Sequence, residues 1–346
     1  MLDHLHIQNY RLFKDLKIDK LGQVNLIAGK NNTGKTALLE AIALCKSNIN
    51  HINRLLSSFI RLRGEFELPY NEVIDLFCDS RFRINKDELI NDFKIIENEF
   101  AIERIRVTFI TFEIIVQISD FYILKDENSS SLKVFNTKFT DLEIYSNSTD
   151  SDNIDKNFTD LSNSIVFLPF KTSFNIGYLW GNVDLTPRKK EVIQILQIIE
   201  PKIIDIGIDI TTRQPKILLD GDFQPTPIDR FGDGVSRLFR IALCLVNAKH
   251  KTLLIDEFEV GLHHSVQEQL WDIIFKYAKG WNIQVFVTTH SQDTVRAFSY
   301  ISSKEEYKDM GQYMRLQPSR KTGEIEAVIY PQDSLENSLD LNLETR

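Results

Sequence analysis

The sequence predicts an α/β fold: a mostly parallel sheet flanked by helices, with an antiparallel β subdomain and a large insertion. Three observations lead there. Near the N-terminus a strand (23–28), a glycine-bearing turn and a helix (35–43) follow one another directly. From residue 235 to 299 helices and strands alternate, the pattern of parallel strands covered on both faces. Between these parts lies a stretch of different texture, 47–162, whose first half has helical spacing and whose second half is rich in β-branched and aromatic residues.

With 346 residues, 42% of them hydrophobic, the chain can bury one large core or two smaller ones. The formal net charge of −8 repels a phosphate backbone on average, which argues against bulk, sequence-independent nucleic-acid binding. The three cysteines, Cys45, Cys78 and Cys244, are odd in number and far apart. That fits a reducing compartment and neither a disulfide framework nor a zinc site. The N-terminus has no basic segment followed by an apolar one, and no apolar run reaches the ~18 residues of a membrane span. The expectation is a soluble, cytoplasmic protein without a membrane partner.

In chain order, Leu5, Ile7 and Tyr10 begin an apolar–polar alternation, and the strand at 23–28 comes next. The helix at 35–43 gathers Leu38, Leu39, Ile42 and Ala43 on one face. Residues 1–46 thus read as the first part of a core, 47–162 as an α+β insertion, and 163–346 as the rest of the core. In the insertion, Ile52, Leu55, Leu56 and Phe59 have helical spacing, 105–124 and 132–145 read as antiparallel strands, and 146–153 is a polar, acidic loop. The core resumes with a strand at 164–169 and a helix at 189–199, then strands at 203–210 and 217–219. Helices at 235–248, 265–278 and 292–299 alternate with strands at 252–255 and 283–287.

The turn after the strand at 23–28 reads Gly29-Lys30-Asn31-Asn32-Thr33-Gly34-Lys35-Thr36, then Ala37. Gly29 and Gly34 let the backbone curl around a phosphate. The amides of Asn31, Asn32, Thr33 and Gly34, with those of Lys35, Thr36 and Ala37 opening the helix, then point at the anion. Lys35 would reach the β- and γ-phosphates of ATP, and the Thr36 hydroxyl would ligate Mg²⁺. A chance glycine turn is the competing reading, weakened by the loop's position between strand and helix.

Residues 252–257 form an apolar strand ending in two carboxylates, Asp256 and Glu257. The carboxyl end of a buried central strand is where ligands sit in an open α/β sheet. Asp256 would hold Mg²⁺, usually through water, and Glu257 would take a proton from the attacking water. A solvated acidic turn is the alternative, and the phosphate loop weighs against it. Glu259 either supports this site or is an exposed turn carboxylate. His263 and His264 are adjacent, poor geometry for a shared metal, and read as a loop at a subunit contact. The strand at 283–287 ends in Thr288-Thr289-His290-Ser291, which would set His290 beside the γ-phosphate as its sensor; a structural histidine is the alternative, weakened by its place at the end of this strand.

One further segment, Arg230-Phe231-Gly232-Asp233-Gly234-Val235-Ser236-Arg237, precedes the acidic strand. Its position resembles the signature loop of ABC-type ATPases. Together with Asp256-Glu257-Phe258-Glu259-Val260-Gly261-Leu262-His263-His264 and Thr288-Thr289-His290-Ser291, its wording resembles the OLD-like branch. That branch includes many bacterial AAA-family ATPases and the ATPase part of OLD and Gabija-type defence nucleases. The opening Ile7-Gln8-Asn9-Tyr10-Arg11-Leu12-Phe13 is similar to that branch and to the wider RecF and SMC group. The resemblance covers the beginning of the chain and its C-terminal half, and not the insertion.

The resemblance implies a P-loop NTPase of ABC-ATPase type, a Mg²⁺-dependent ATPase acting as a head-to-tail homodimer. Each nucleotide would lie between the P-loop of one chain and Gly232, Asp233 and Gly234 of the other, with Arg11 nearby. Gly232 stands where the family has a serine for the γ-phosphate, and no glutamine is recognisable after 164–169 as the Mg²⁺ sensor. After His290 there is no room for the TOPRIM nuclease domain of OLD-type nucleases, so a nuclease or toxin effector is expected as a separate protein. The implied role is a nucleotide-driven switch in anti-phage defence. The alternatives are RecF-like DNA repair, an ATP-held scaffold with little turnover, and a transporter subunit. DNA stands as a further candidate partner through Arg54, Arg61, Arg63, Arg81 and Arg83, or through Arg188-Lys189-Lys190. Acidic Glu65, Glu67, Asp75 and Asp79 are interleaved with the first group, and both groups also read as solvated surface.

Overall fold

The computed structural model describes residues 1–46, the backbone of short segments between 83 and 145, and residues 164–170, 176–209, 211–332 and 335. The predicted helix through Ile52 and Phe59, the arginines Arg54, Arg61, Arg63 and Arg81, and the acidic loop 146–153 lie outside the described residues. The chain divides into two compact units, one of residues 1–21, 30–157 and 316–329, the other of residues 22–29, 158–315 and 330–346.

The first unit is built on an antiparallel sheet. Strands β1 (Leu5–Tyr10) and β2 (Phe13–Ile18) form a hairpin with Leu5 opposite Ile18 and Tyr10 opposite Phe13. Its two-residue turn takes Arg11 into the left-handed region at φ 52°. Strand β3 (Val24–Gly29) belongs to the second unit. Strands β4 (Arg83–Asn85), β5 (Glu88–Asn91), β6 (Lys94–Glu97), β7 (Phe100–Ile110), β8 (Glu113–Ile123), β9 (Val134–Phe135) and β10 (Glu143–Tyr145) extend the hairpin's sheet. The order is β10-β8-β7-β6-β1-β2, with β5 pairing β4 and β7 and β9 pairing β8. The β-rich half of the predicted insertion therefore continues a sheet that begins at Leu5. Helix α1 (Lys35–Lys46) buries Leu38, Leu39, Ile42 and Ala43, the face its spacing predicts.

The second unit holds a sheet of order β11-β15-β16-β3-β17, from β11 (Ile165–Leu168), β15 (Thr252–Ile255), β16 (Gln284–Thr289) and β17 (Gly311–Pro318). Its first four strands are parallel, in a register that sets Leu168 beside Ile255, Ile255 beside Val287 and Thr289 beside Ala28. Every residue of β3, β11, β15 and β16 is buried, as strands covered on both faces require. Strand β17, and β18 (Ile325–Tyr330) after it, were not anticipated from the sequence; β18's residues are all half-buried, which blurs the alternation. A small antiparallel sheet of β12 (Ile203–Ile208), β13 (Pro215–Leu219) and β14 (Thr226–Pro227) precedes the signature segment. The helices are α2 (Ile176–Gly181), α3 (Arg188–Leu196), α4 (Asp233–Asn247), α5 (His264–Trp281) and α6 (Gln292–Ser302).

Local signals fix the helix ends. The Ser291 side chain caps α6 by accepting from the Thr294 amide, and His263 caps α5 by accepting from the Ser265 amide. His263 thus has a structural task, its ring 4.1 Å from that of His264. Asn282 ends α5 in the left-handed conformation. Among the described residues, no helix is long and apolar enough to cross a membrane.

The core of this unit centres on Trp271 of α5, fully buried, stacked on Phe258 at 4.6 Å and edge-on to Phe298 at 5.1 Å. Phe258 comes directly after the acidic pair, so this aromatic cluster anchors the turn that carries the carboxylates. Trp271→Ala is expected to lower unfolding stability by about 3–5 kcal/mol, measured by urea denaturation.

Candidate functional site

The phosphate loop leaves the sheet at Gly29, the last residue of β3. Gly34 sits at φ 90°, and a Cβ there would lie 2.7 Å from Phe13 Cζ, so the loop closes tightly over the β1–β2 turn. The opening motif and the glycine loop are thus parts of one packing arrangement. The Thr33 hydroxyl donates to the Lys30 carbonyl at 2.8 Å, and Lys35 Nζ donates to the same carbonyl at 3.1 Å. Asn31, Asn32 and Thr33 lead into α1, where Lys35, Thr36 and Ala37 supply the first helical amides. Arg11, expected near nucleotide, is buried at 7% exposure with Nε 2.5 Å from Glu40, itself 1% exposed on α1. Its ion pair joins the hairpin turn to the helix that begins with Lys35.

In the second unit, the parallel register brings the carboxyl ends of β15, β16 and β3 to one edge. Asp256 lies just past β15 and is 4% exposed. Its Oδ1 accepts from the Thr288 hydroxyl at 2.6 Å, and that hydroxyl accepts from the Glu257 amide at 2.9 Å. Glu257 sits at φ 49°, a left-handed conformation that costs a non-glycine residue on the order of 1 kcal/mol. Arg237 of α4 holds that conformation from the other side, its Nη2 donating to the Asp256 carbonyl at 2.6 Å and the Glu257 carbonyl at 2.9 Å. Burial above all pulls the Arg237 pKa below its ordinary value, though a guanidinium starts so high that it stays charged.

His290 begins the loop after β16 and is half exposed, with Nδ1 2.9 Å from Glu259 Oε1. Glu259 is no exposed turn carboxylate: it also accepts from the Thr289 hydroxyl and from the His290 amide, both at 2.8 Å.

The signature segment runs through a 3₁₀ turn (Ile228–Phe231) into α4, with Gly232 capping the helix at φ 88°. Gly232 and Asp233 are exposed at the helix N-terminus. Gly234 has a different reason to be glycine: a Cβ there would lie 2.8 Å from the Gly261 carbonyl oxygen, in the turn after Glu257. The segment therefore rests on the turn of Asp256 and Glu257 through backbone contact and through Arg237.

The second unit thus brings together Asp256, Glu257, His290 and the Gly232–Gly234 segment; Asn31 through Ala37 and Arg11 belong to the first. The sequence reading missed Thr288 and Arg237. The signal for Thr288 lay in two consecutive threonines beside a predicted site histidine. For Arg237 there was only its place on the signature helix. As to Mg²⁺, no cluster of three or more His, Cys, Asp or Glu side chains fit to hold a metal occurs among the described residues. The Asp256 carboxylate is a hard oxygen donor of the kind Mg²⁺ takes while keeping waters and phosphate oxygens, and it belongs to no closed protein cage among the described residues.

A glycine loop after β3, an acidic pair after β15, two places along the same parallel sheet, and a glycine segment opening a helix are the marks of an ABC-type ATPase. The chain belongs to the family described as "AAA domain, putative AbiEii toxin, Type IV TA system", whose model matches residues 24–296. It is similar to an "ATP/GTP phosphatase" of Helicobacter pylori, 26% identical over 347 aligned positions covering 89% of this chain and 90% of that protein. A 61-residue stretch, 17% of this chain, is 48% identical to the DNA replication and repair protein RecF of Lactobacillus acidophilus and covers 16% of it. Among solved structures, the SMC head domain from Thermotoga maritima aligns at a TM-score of 0.44 and 13% identity, covering 95% of this chain and 99% of that one. The Smc head domain with an extended coiled coil, bound to the C-terminal domain of ScpA from Pyrococcus furiosus, aligns at 0.48 and 10%, covering 99% and 98%.

The contact between Gly234 and Gly261 leads to a paired prediction. Gly234→Ala is expected to destabilise the protein by about 1–3 kcal/mol, because backbone must move to admit the methyl group. Gly280→Ala, where a Cβ in α5 meets nothing within 4 Å, is expected to be stabilising by up to about 1 kcal/mol. Urea midpoints of the two variants provide the comparison.

Proposed function

We propose that this chain binds and hydrolyses ATP with Mg²⁺ and works as a nucleotide-driven dimeric switch on a separately encoded effector in anti-phage defence. The observation that carries the reading is the shared edge of β15, β16 and β3: two carboxylates, a histidine and the start of the phosphate loop leave it from neighbouring strands.

The amides of Asn31 through Ala37 cradle the phosphates, and the Lys35 ammonium neutralises charge on the β- and γ-phosphoryl oxygens. Thr36 and Asp256 would hold Mg²⁺, which supplies further charge neutralisation there. The Glu257 carboxylate orients the attacking water and accepts its proton. The Nε2 of His290 meets the terminal phosphate. Gly232 and Asp233, exposed at the N-terminus of α4, offer a second anion-binding end for the nucleotide of a partner chain. Such a sandwich makes dimerisation depend on ATP and release depend on hydrolysis.

The description of the Helicobacter pylori relative as a phosphatase of ATP and GTP supports turnover. The toxin–antitoxin wording of the family description supports a defence role with an effector nuclease or toxin. The RecF stretch favours a second reading, a DNA-repair ATPase, in which duplex DNA stimulates turnover and added salt suppresses it. A scaffold with little turnover has no use for a Glu257 held in a costly backbone conformation.

Glu257→Gln is expected to retain ATP, to hydrolyse it at least ~100-fold more slowly, and to accumulate as a nucleotide-bound dimer in light scattering. Lys35→Ala is expected to lose ATP retention in equilibrium dialysis. Equal turnover in Glu257→Gln and the parent chain would sink the hydrolytic reading and leave the scaffold.

A further inference from the structure

Glu259 is the acidic residue of the catalytic turn for which neither the phosphate loop nor the proposed hydrolysis chemistry has a task. It stands two positions beyond Glu257, and its side chain is 10% exposed. A carboxylate buried to that degree is retained only when donors satisfy it. Three do. Oε2 takes the Thr289 hydroxyl at 2.8 Å. Oε1 takes the His290 amide at 2.8 Å and faces His290 Nδ1 at 2.9 Å. The Thr289 hydroxyl in turn accepts from the Ser291 amide at 3.0 Å, so its proton is committed to Glu259. All three donors come from the end of β16 and the loop it opens, and the acceptor comes from the turn after β15. One carboxylate thus ties the two strand ends together around the histidine.

The chemistry of that contact is specific. A carboxylate oxygen accepts and cannot donate, so a ring nitrogen 2.9 Å away must carry a proton. In neutral His290 this places the proton on Nδ1 and leaves Nε2 as the ring's remaining nitrogen. The imidazole is half exposed while its carboxylate partner is not, so the fixed end is internal and the free end meets solvent or ligand.

We infer that Glu259 is a positioning residue: it holds His290 in the Nδ1–H tautomer and in one orientation, presenting Nε2 to the terminal phosphate. The inference rests on the reading that His290 meets that phosphate. Glu259 itself touches no reacting atom. Its effect is to remove the rotational freedom of the ring before ATP arrives.

The test combines kinetics with a measurement that needs no turnover. Steady-state kcat and KM for ATP are compared for the parent chain, Glu259→Ala, Glu259→Gln, His290→Ala and the double alanine variant, with melting temperatures as a check on folding. Glu259→Ala is expected to lose about 10- to 100-fold in kcat with KM changed less than about threefold, because the lost interaction serves the transition state. Glu259→Gln, which keeps an acceptor and volume, is expected to lose less and stays informative should the alanine variant fold poorly. In the double variant, kcat is expected to fall no more than about twofold below His290→Ala, since a residue acting only through His290 has nothing left to act on.

Multiplication of the two single losses would overturn the inference, because a merely structural Glu259 would damage both backgrounds alike. Independently, ¹⁵N spectra of the imidazoles, with His290 among seven histidines assigned by its disappearance in His290→Ala, should show the Nδ1–H tautomer in the parent chain and its loss in Glu259→Ala. An Nε2–H tautomer in the parent chain would overturn the inference too. A wild-type rate in His290→Ala would instead overturn the phosphate contact of His290, and the spectra would then decide the positioning by themselves.

Discussion

The parallel register of β3, β16 and β15 is the constraint on which the rest depends. Once Val287 lies beside Ile255 and Thr289 beside Ala28, the three strands must release their chains at one edge. Each then has only a few residues before its helix or core contact begins, so the residues just past each strand are the ones the edge displays. The chain has placed the glycine loop after β3, His290 after β16, and Asp256 and Glu257 after β15. The apolar character of the strands is therefore as much a part of the site as the carboxylates, since burial on both faces is what prevents a slip in register.

Around that edge the polar groups are linked to one another and are not a collection of independent side chains. The Thr288 hydroxyl serves Asp256 and the Glu257 amide together. Glu259 serves Thr289 and His290. Arg237 reaches across from the signature helix, and Gly234 permits that helix to approach Gly261. The strain at Glu257 is thus held by groups from two elements, β16 and α4, which is the condition under which a sparsely populated conformation persists. Movement of α4 relative to the turn cannot occur without disturbing the main chain of the two carboxylate residues.

Much of this arrangement was legible in the amino-acid sequence. The phosphate loop, the acidic strand end and His290 are marked by residue types that chemistry requires and that local context isolates: glycines before a helix, carboxylates after an apolar run. The strands at 252–255 and 283–287 were readable because continuous β-branched and aliphatic runs have few other fates. The structure added what sequence proximity cannot carry. Thr288 and Asp256 are 32 positions apart, and Arg237 meets carbonyls, which leave no trace in side-chain identity. Glu259 was ambiguous because a turn carboxylate looks the same in sequence whether it is solvated or enclosed. The continuation of the N-terminal hairpin by β6 was hidden for a similar reason: antiparallel pairing between Ile7 and Ile95 joins segments separated by the loop and helix of the phosphate site. β18 escaped because all its residues are half-buried.

The grip of Arg237 falls on main-chain oxygens alone. Evolution is consequently free to exchange the side chain at 257 without loosening the arginine's hold on the turn, whereas a change at 256 also removes the acceptor of the Thr288 hydroxyl. Within a lineage, members that lose the glutamate would keep the arginine, and the difference would be written in one acidic position.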